Sequence, residues 1–509
     1  MGASARTPVI IGAVTILVLA LLSLLAPSTA TYDPWAWIIW GREVVHGDLN
    51  TISGPSWKPL PVVVTSIAAL FGDIAPDIWI VVARAGALAG VAAAFLLGRR
   101  IAGTTAGLLG AAPLLLAPWF FKHGWFANSE GLLVMFVLGA VLAELDRRRG
   151  VAMACWIAAA LLRPEAWPFL LIYAAWVAWR SDLRGRTAVL AALCVLPPAW
   201  LLPEKWGSGD YWRASTRAQN PDPGSASLTA HPWWTIVRNF WDMLPTVTWV
   251  AVAAAVVVGA GLAVARRGRA TPATGAAAVD PVDGETASAG PAPNGAGAPA
   301  TGSAPVAAAA SPRVIGPWAV VAGLAILGLA WLALVAVMTE RGYSGNERYL
   351  IQPAALLIVA AAGAVGLVLR SLPRPAHVAL AALAFAGIAV TAIQQMPGQV
   401  RREVYEGRLV DDLNRAIDRA GGPDRLKACG PVGTLNIMVP QVAWALGEHA
   451  VDIQNATGPG PKVVLRLKIR KDAPLSPAVT RVPSMPELVR TPYWQIEAAD
   501  CAAAGGSTR

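Results

Sequence analysis

Eleven runs of apolar residues, each near or somewhat below the length that crosses a bilayer, leave this chain of 509 residues few folds to choose from. They lie at Pro8–Ala26 and at about 78–98, 103–121, 129–145, 151–163, 165–179, 187–203, 246–265, 316–338, 350–369 and 375–395. Hydrocarbon offers no water to a peptide group, so a spanning segment must satisfy its own backbone, and runs of this length do so as helices. Composition agrees, with 55% hydrophobic and only 14% charged residues. The expected fold class is an all-α polytopic membrane protein of about 11 transmembrane helices with a small C-terminal extracytoplasmic α/β domain. The first run exceeds the roughly 7–15 residues of a signal-peptide core, so it is read as an uncleaved helix. The two shortest runs meet at Arg163-Pro164-Glu165 and are read as a tilted hairpin entering from one side.

Arginine placement sets the orientation, because short cytoplasmic loops retain positive charge. Arg99-Arg100, Arg147-Arg148-Arg149, Arg180 with Arg184 and Arg186, Arg266-Arg267 with Arg269, and Arg370 with Arg374 fall at alternate helix ends. They share one side, which predicts a multi-pass protein of the cell membrane with its N-terminus in the cytoplasm. Residues 28–77, 122–128, 204–245, 339–349 and everything after about 396 then face outward. The net charge of +10 is largely this topological charge, available to anionic headgroups and requiring no nucleic-acid partner.

Four regions follow. An N-terminal membrane module spans 1–269, with outward loops 28–77 and 204–245. Residues 270–315 are Ala, Gly, Pro, Ser and Thr-rich, too poor in apolar side chains to offset chain entropy, and are expected to be a disordered cytoplasmic linker. Membrane helices resume at 316–395, and 396–509 reads as a soluble α/β domain. There Leu409, Val410, Leu413 and Ile417 recur at helical spacing, while Lys462–Arg470 alternates as a strand does and Tyr493–Ile496 suggests another. Cys429 and Cys501 lie in this exported part, where an oxidising compartment lets them pair; Cys155 and Cys194 lie within spans.

Polar residues collect in the outward segments. Tyr32-Asp33-Pro34-Trp35-Ala36-Trp37-Ile38-Ile39-Trp40 places a carboxylate before proline, a favoured N-cap and first-turn pair, so Asp33 is expected to cap an interfacial helix over 34–45. Glu43 lies near its end. Gly54-Pro55-Ser56-Trp57-Lys58-Pro59-Leu60-Pro61 fixes Lys58 at a rigid entry to an amphipathic segment. Arg84, inside the second span, costs roughly 2.5–3.5 kcal/mol to insert and calls for an acidic partner or an anionic ligand. Glu130 opens the fourth span, Arg163 and Glu165 stand at the turn of the short hairpin, and Glu347-Arg348-Tyr349-Leu350 opens a late one. Most of the 22 tryptophans fall at outward positions, where rings also suit the apolar faces of sugars.

In this order, Trp57-Lys58-Pro59-Leu60, Arg84, Asn128-Ser129-Glu130, Leu162-Arg163-Pro164-Glu165 and Glu347-Arg348-Tyr349-Leu350 resemble the GT-C class of polytopic glycosyltransferases over about 28–395. That class includes protein mannosyltransferases, aminoarabinose transferases and actinobacterial arabinofuranosyl- and mannosyltransferases. The resemblance implies transfer of a sugar from a polyprenyl-phosphate donor to a saccharide, lipid or protein acceptor, with inversion. It implies Asp33 as general base, Arg348, Arg84, Lys58 and Arg163 as holders of the donor phosphate, and Glu43, Glu130, Trp37, Trp57 and Tyr349 as sugar or acceptor contacts. The loop lacks the paired acids and the His-Pro-Pro found in many members. A divalent metal would have to draw on Glu43 or Asp48, so no metal and no cofactor is predicted. Competing readings are a lipid or glycolipid flippase and an inactive scaffold of the cell envelope.

Overall fold

A computed structural model of the chain describes residues 3–244, 249–250, 253, 316–456, 460–477, 485–499 and 501. The expected linker at 270–315 and all but three positions of the run 246–265 lie outside the described residues. Helices occupy the other ten runs. In chain order they are α1 (Ala3–Leu22), α2 (Tyr32–His46), α3 (Pro59–Ala69), α4 (Ala75–Leu116), α5 (Pro118–Trp125), α6 (Glu130–Leu145), α7 (Arg149–Leu162) and α8 (Trp167–Trp179). There follow α9 (Leu183–Leu193), α10 (Leu196–Ser208), α11 (Arg213–Ala218), α12 (Pro232–Met243), α13 (Pro317–Glu340), α14 (Ile351–Leu369), α15 (Arg374–Arg419), α16 (Pro423–Ala428) and α17 (Val439–Leu446).

Six of the described helices are long and apolar enough to cross a membrane, or seven if α5 and α6, bent by 110°, form one span. The expected eleven are not reached by this measure because α7 and α8 have 14 and 13 residues, too few for a hydrocarbon core of about 30 Å. One of the six holds two legs. In α4 the backbone leaves the helix at Ala102 and at Gly103 (φ 79°), and Gly98 then lies against Ala106 and Gly107 against Phe95, so the second leg runs back along the first. Ile10 and Leu22 of α1 keep 59% and 54% of their surface open, which suits lipid and not water.

The bundle is centred on α14. All but three of its 19 residues are buried, against α4 on one side and α13 on the other. Lipid tails are as apolar as leucine, so helices in a bilayer gain by close packing, which small side chains permit. Gly363 of α14 faces Ile101 and Val321, Gly366 faces Ala106, and Gly328 of α13 faces Leu357. Arg100 reaches Asp146 (4.0 Å) and Arg370 covers the α4 turn at Gly103, so these basic residues collect at one end of the bundle. The C-terminal domain sits at the other.

The boundary expected at 396 falls inside α15, a helix of 46 residues. Its apolar first half continues, through Pro397 inside the helix, into a polar half that carries Leu409, Leu413, Ala416 and Ile417 into the core of the C-terminal domain. There β1 (Val432–Thr434) lies parallel to both β2 (Gln454–Asn455) and β3 (Val463–Lys468). β3 is antiparallel to β4 (Leu475–Ser476) and to β6 (Trp494–Ala498), and β6 pairs antiparallel with β5 (Glu487–Arg490). Register sets Leu465 opposite Ile496 and Leu467 opposite Trp494, both pairs facing the core. A Cys429–Cys501 disulfide spans 72 residues of sequence.

The domain docks on α2. Trp444 of α17 packs on Trp35 (6.2 Å between rings) and under the Arg42 guanidinium (5.2 Å). Arg42 donates to the Glu448 carbonyl (2.6 Å), and His449 Nδ1 meets Glu43 Oε1 at 2.7 Å. Gly41, on another face of α2, lies where a Cβ would fall 2.5 Å from the Thr65 backbone of α3. Gly41→Ala should therefore destabilise the protein by about 1–3 kcal/mol, read as a lowered melting temperature in detergent.

The docking contact titrates. Burial raises the Glu43 carboxyl against the pull of the Asn50 amide and His449. Burial alone would lower His449, but the hydrogen bond and charge of Glu43, with Asp48 and Asp452, outweigh it and raise the imidazole. Arg42 also bears on Glu43, and Glu448 engages Lys427. A raised histidine stabilises fully below its unfolded value of about 6.5 and loses that contribution as pH climbs through the folded value. Hydrogen-exchange protection of 439–446 should accordingly fall as pH rises above about 6.5, and His449→Gln should flatten that dependence.

Candidate active site

Asp33 is not the helix cap that its proline neighbour suggested. Thr31 holds that position without a side-chain cap, and Asp33 stands inside the first turn of α2, where Pro34 is tolerated because the amides there have no intrahelical acceptor. The start of α2 is pinned from outside: the Thr31 amide donates to the Phe126 carbonyl (3.3 Å), its hydroxyl to Asn128 Oδ1 (2.9 Å), and Trp35 Nε1 to Thr29 Oγ1 (3.2 Å). The carboxylate, 8% exposed as a residue, is thereby free to turn to partners far along the chain.

Those partners are Arg348 and Lys58. Arg348, on the single 3-10 turn Glu347–Leu350 that leads into α14, donates Nη1 to Asp33 Oδ2 at 2.6 Å. Lys58 Nζ lies 3.8 Å from the same oxygen. Burial would raise the Asp33 carboxyl, but Arg348 and then Lys58 outweigh it and hold it below the usual carboxylate range. Burial, with Arg163 and Arg348 nearby, pushes the Lys58 ammonium well below its usual range. Lys58 Nζ, 4.8 Å from the Trp37 ring, has no hydrogen-bond partner among the described residues, and neither has Arg348 Nε. Buried donors without acceptors are what an anion would satisfy.

Lys58 is placed by a clamp that sequence reasoning missed. Glu204 of α10 accepts from the Trp57 amide (3.2 Å) and the Thr51 hydroxyl (3.0 Å), and pairs with Arg213 (3.2 Å). Arg213 in turn donates to the carbonyls of Ser53, Gly54 and Pro55. Both residues lie in the segment after 200, where no period or motif sets them apart.

The other expected site residues divide. Tyr349 lines the cavity beside Asp33 and lies under the Arg163 guanidinium (5.0 Å). Arg163 is buried between two acids, ion-paired with Glu130 and 3.9 Å from Glu165. Arg84 does not line the cavity: it donates to the Ser23 hydroxyl (2.7 Å) and carbonyl, the Ser28 hydroxyl and the Trp125 carbonyl, and stacks 4.0 Å from the Trp125 ring. It ties the end of α1 to the end of α5. Trp37 and Trp57 are buried, Trp37 edge-on to Trp79 and Trp57 packed on Trp40 with its indole N–H on the Ala199 carbonyl. Glu43 is engaged by the C-terminal domain, as above.

The cavity at Asp33 holds about 200 Å³ and is lined by Tyr32, Ser56, Lys58, Arg217, Asp222, Arg348 and Tyr349, together with three asparagines. A second, apolar cavity of about 460 Å³ opens on the far side of the same turn, between α4, α5, α14 and α15, with Lys122 and Glu347 among its few charges. Among the described residues, no three His, Cys, Asp or Glu side chains gather as metal ligands would. The arrangement offers a buried carboxylate held by two cations, cations with donors to spare, and a polar and an apolar volume on either side of the Arg348 turn.

Removing Arg163 would strand Glu130 and Glu165 as buried carboxylates. Arg163→Met should destabilise the fold by about 3–5 kcal/mol, whereas Arg163→Lys should recover part of that loss in the same thermal-unfolding measurement.

No protein-family model and no curated protein matches the sequence. Solved structures do. The crystal structure of ArnT from Cupriavidus metallidurans bound to undecaprenyl phosphate is 14% identical, covers 99% of this chain and 100% of that one, and superposes with a TM-score of 0.52. The apo crystal structure of the same ArnT is 15% identical over the same shares, with a TM-score of 0.53. This chain therefore has the fold of ArnT, which is a GT-C fold.

Proposed function

We propose that this protein transfers a sugar from a polyprenyl-phosphate donor to an acceptor hydroxyl at the outer face of the cell membrane. The carrying observation is the bridge of Asp33 to Arg348 and Lys58 in a polar cavity, one turn of chain away from an apolar cavity at the end of a membrane bundle. A lipid phosphate needs both volumes: cations for its head and apolar walls for its chain. The crystal structure of a protein of this fold with undecaprenyl phosphate supports that lipid class. Gathering of Arg100 and Arg370 at the opposite end supports a cytoplasmic location for that end, by the retention of arginine in short inner loops.

In this reading the donor phosphate takes donors from Arg348 and Lys58. Asp33, weakly basic while both cations address its Oδ2, regains basicity as they turn to the phosphate. It then removes the proton of the acceptor hydroxyl as that oxygen bonds to the anomeric carbon. The bond from that carbon to the phosphate oxygen breaks on the opposite face, inverting the centre, and the lipid phosphate leaves with its charge held by Arg348 and Lys58. Arg163 supports them from the buried side, and the Glu130 and Glu165 carboxylates hold Arg163 in place.

Purified protein supplied with polyprenyl-phosphate sugars and acceptor glycans is the test. Asp33→Asn should lower transfer by about 10²–10⁴-fold while polyprenyl-phosphate binding persists, and Arg348→Ala should weaken that binding. Transfer undiminished in Asp33→Ala would remove the base assignment. Lipid translocation without transfer would identify a flippase.

A further inference from the structure

The cavity at Asp33 is not closed by the membrane module alone. Asn436 and Ile437, on the 3-10 turn Asn436–Met438 of the C-terminal domain, form part of its wall. Asn220, beyond α11, and Asn346, before the Arg348 turn, complete a set of three carboxamides brought from three separate parts of the chain. All three residues are exposed, and their side chains, with no hydrogen bond among the described residues, are open to whatever enters the cavity, while their neighbours Ser56 and Arg217 are engaged, Ser56 with the Ala214 carbonyl (2.8 Å) and Arg217 with the Asn220 carbonyl (2.8 Å). A carboxamide carries two donors and an acceptor with two lone pairs, the complement of a ring of hydroxyls that both give and accept. A phosphate can use only the donors of such groups, whereas sugar hydroxyls use donor and acceptor alike.

The volume is compatible with that reading. About 200 Å³, shared with the cations at Asp33, is on the scale of a single sugar ring. We propose that the C-terminal domain is part of the substrate site. Asn436, with Asn220 and Asn346, reads the hydroxyls of the donor's sugar, and Ile437 packs on the apolar side of that ring. This rests on the donor class proposed above and adds to it a specificity-determining role for the C-terminal domain.

The test uses full-length protein in nanodiscs and two kinds of probe, polyprenyl phosphate without a sugar and a panel of polyprenyl-phosphate pentoses and hexoses. In the wild type, at least one sugar should bind more tightly than the bare lipid phosphate. Asn436→Ala should cut that increment about three- to tenfold, the worth of one hydrogen bond, and should leave the bare phosphate within twofold. Asn436→Gln should change which sugar in the panel binds best, a readout that a merely structural role would not move. Absence of polyprenyl-phosphate binding by the wild type would sink the donor class itself. Binding of the bare lipid with no increment for any sugar, an increment unchanged in Asn436→Ala, or an equal loss for both probes would each overturn the role of the C-terminal domain while leaving the donor class standing.

Discussion

Close approach between α14 and its neighbours is the constraint on which the site depends. In hydrocarbon the helices gain nothing from excluding water from each other, so their positions are set by how near their backbones can come. Gly363 and Gly366 let α14 settle against α4, and Gly328 lets α13 settle against α14. The turn that carries Arg348 is the N-terminal continuation of α14. A guanidinium on a flexible side chain thus becomes a fixed point, 2.6 Å from a carboxylate 315 residues away in sequence.

The same logic explains why so much charge is buried at one end of an apolar molecule. An isolated ion there would be very costly, and removing one partner of a buried pair costs more than the pair ever contributes. The protein's solution is a connected set: Asp33 with Arg348 and Lys58, then Arg163 with Glu130 and Glu165. Acids and bases balance in number, three of each. Yet Lys58 Nζ and Arg348 Nε still lack acceptors, so the set has neutrality without saturation.

Much of this was readable from residue order. Runs of apolar residues marked helices because their backbone has no alternative in lipid, and the alternation at 462–470 marked the central strand β3. Asp33, Lys58, Arg348 and Tyr349, each singled out in the sequence, line one cavity. Where the reading departs from the structure, the partner was invisible. Arg84 at its depth demanded company, and its company is mostly backbone carbonyls and serines, which leave no trace in a motif. Glu43 looked like a second acid for the site until His449, 406 residues on, claimed it. The tryptophans were legible as a bias in position, but nothing in a sequence separates a ring that stacks on a ligand from one that fills a core. Asn220, Asn346 and Asn436 sit in segments without period, where loop geometry alone decides their meeting.

The unbroken course of α15 has a mechanical meaning. A helix of 46 residues rises about 69 Å at about 1.5 Å per residue, with one half among lipid-facing helices and the other in the core of a soluble domain. Gly407 seats it against Pro27 with no side chain between, which fixes where the helix leaves the bundle. Bilayer thickness and tilt act on its membrane half. The other half carries the domain that walls the cavity at Asp33, so one helix supplies both a membrane anchor and the support of a cavity wall.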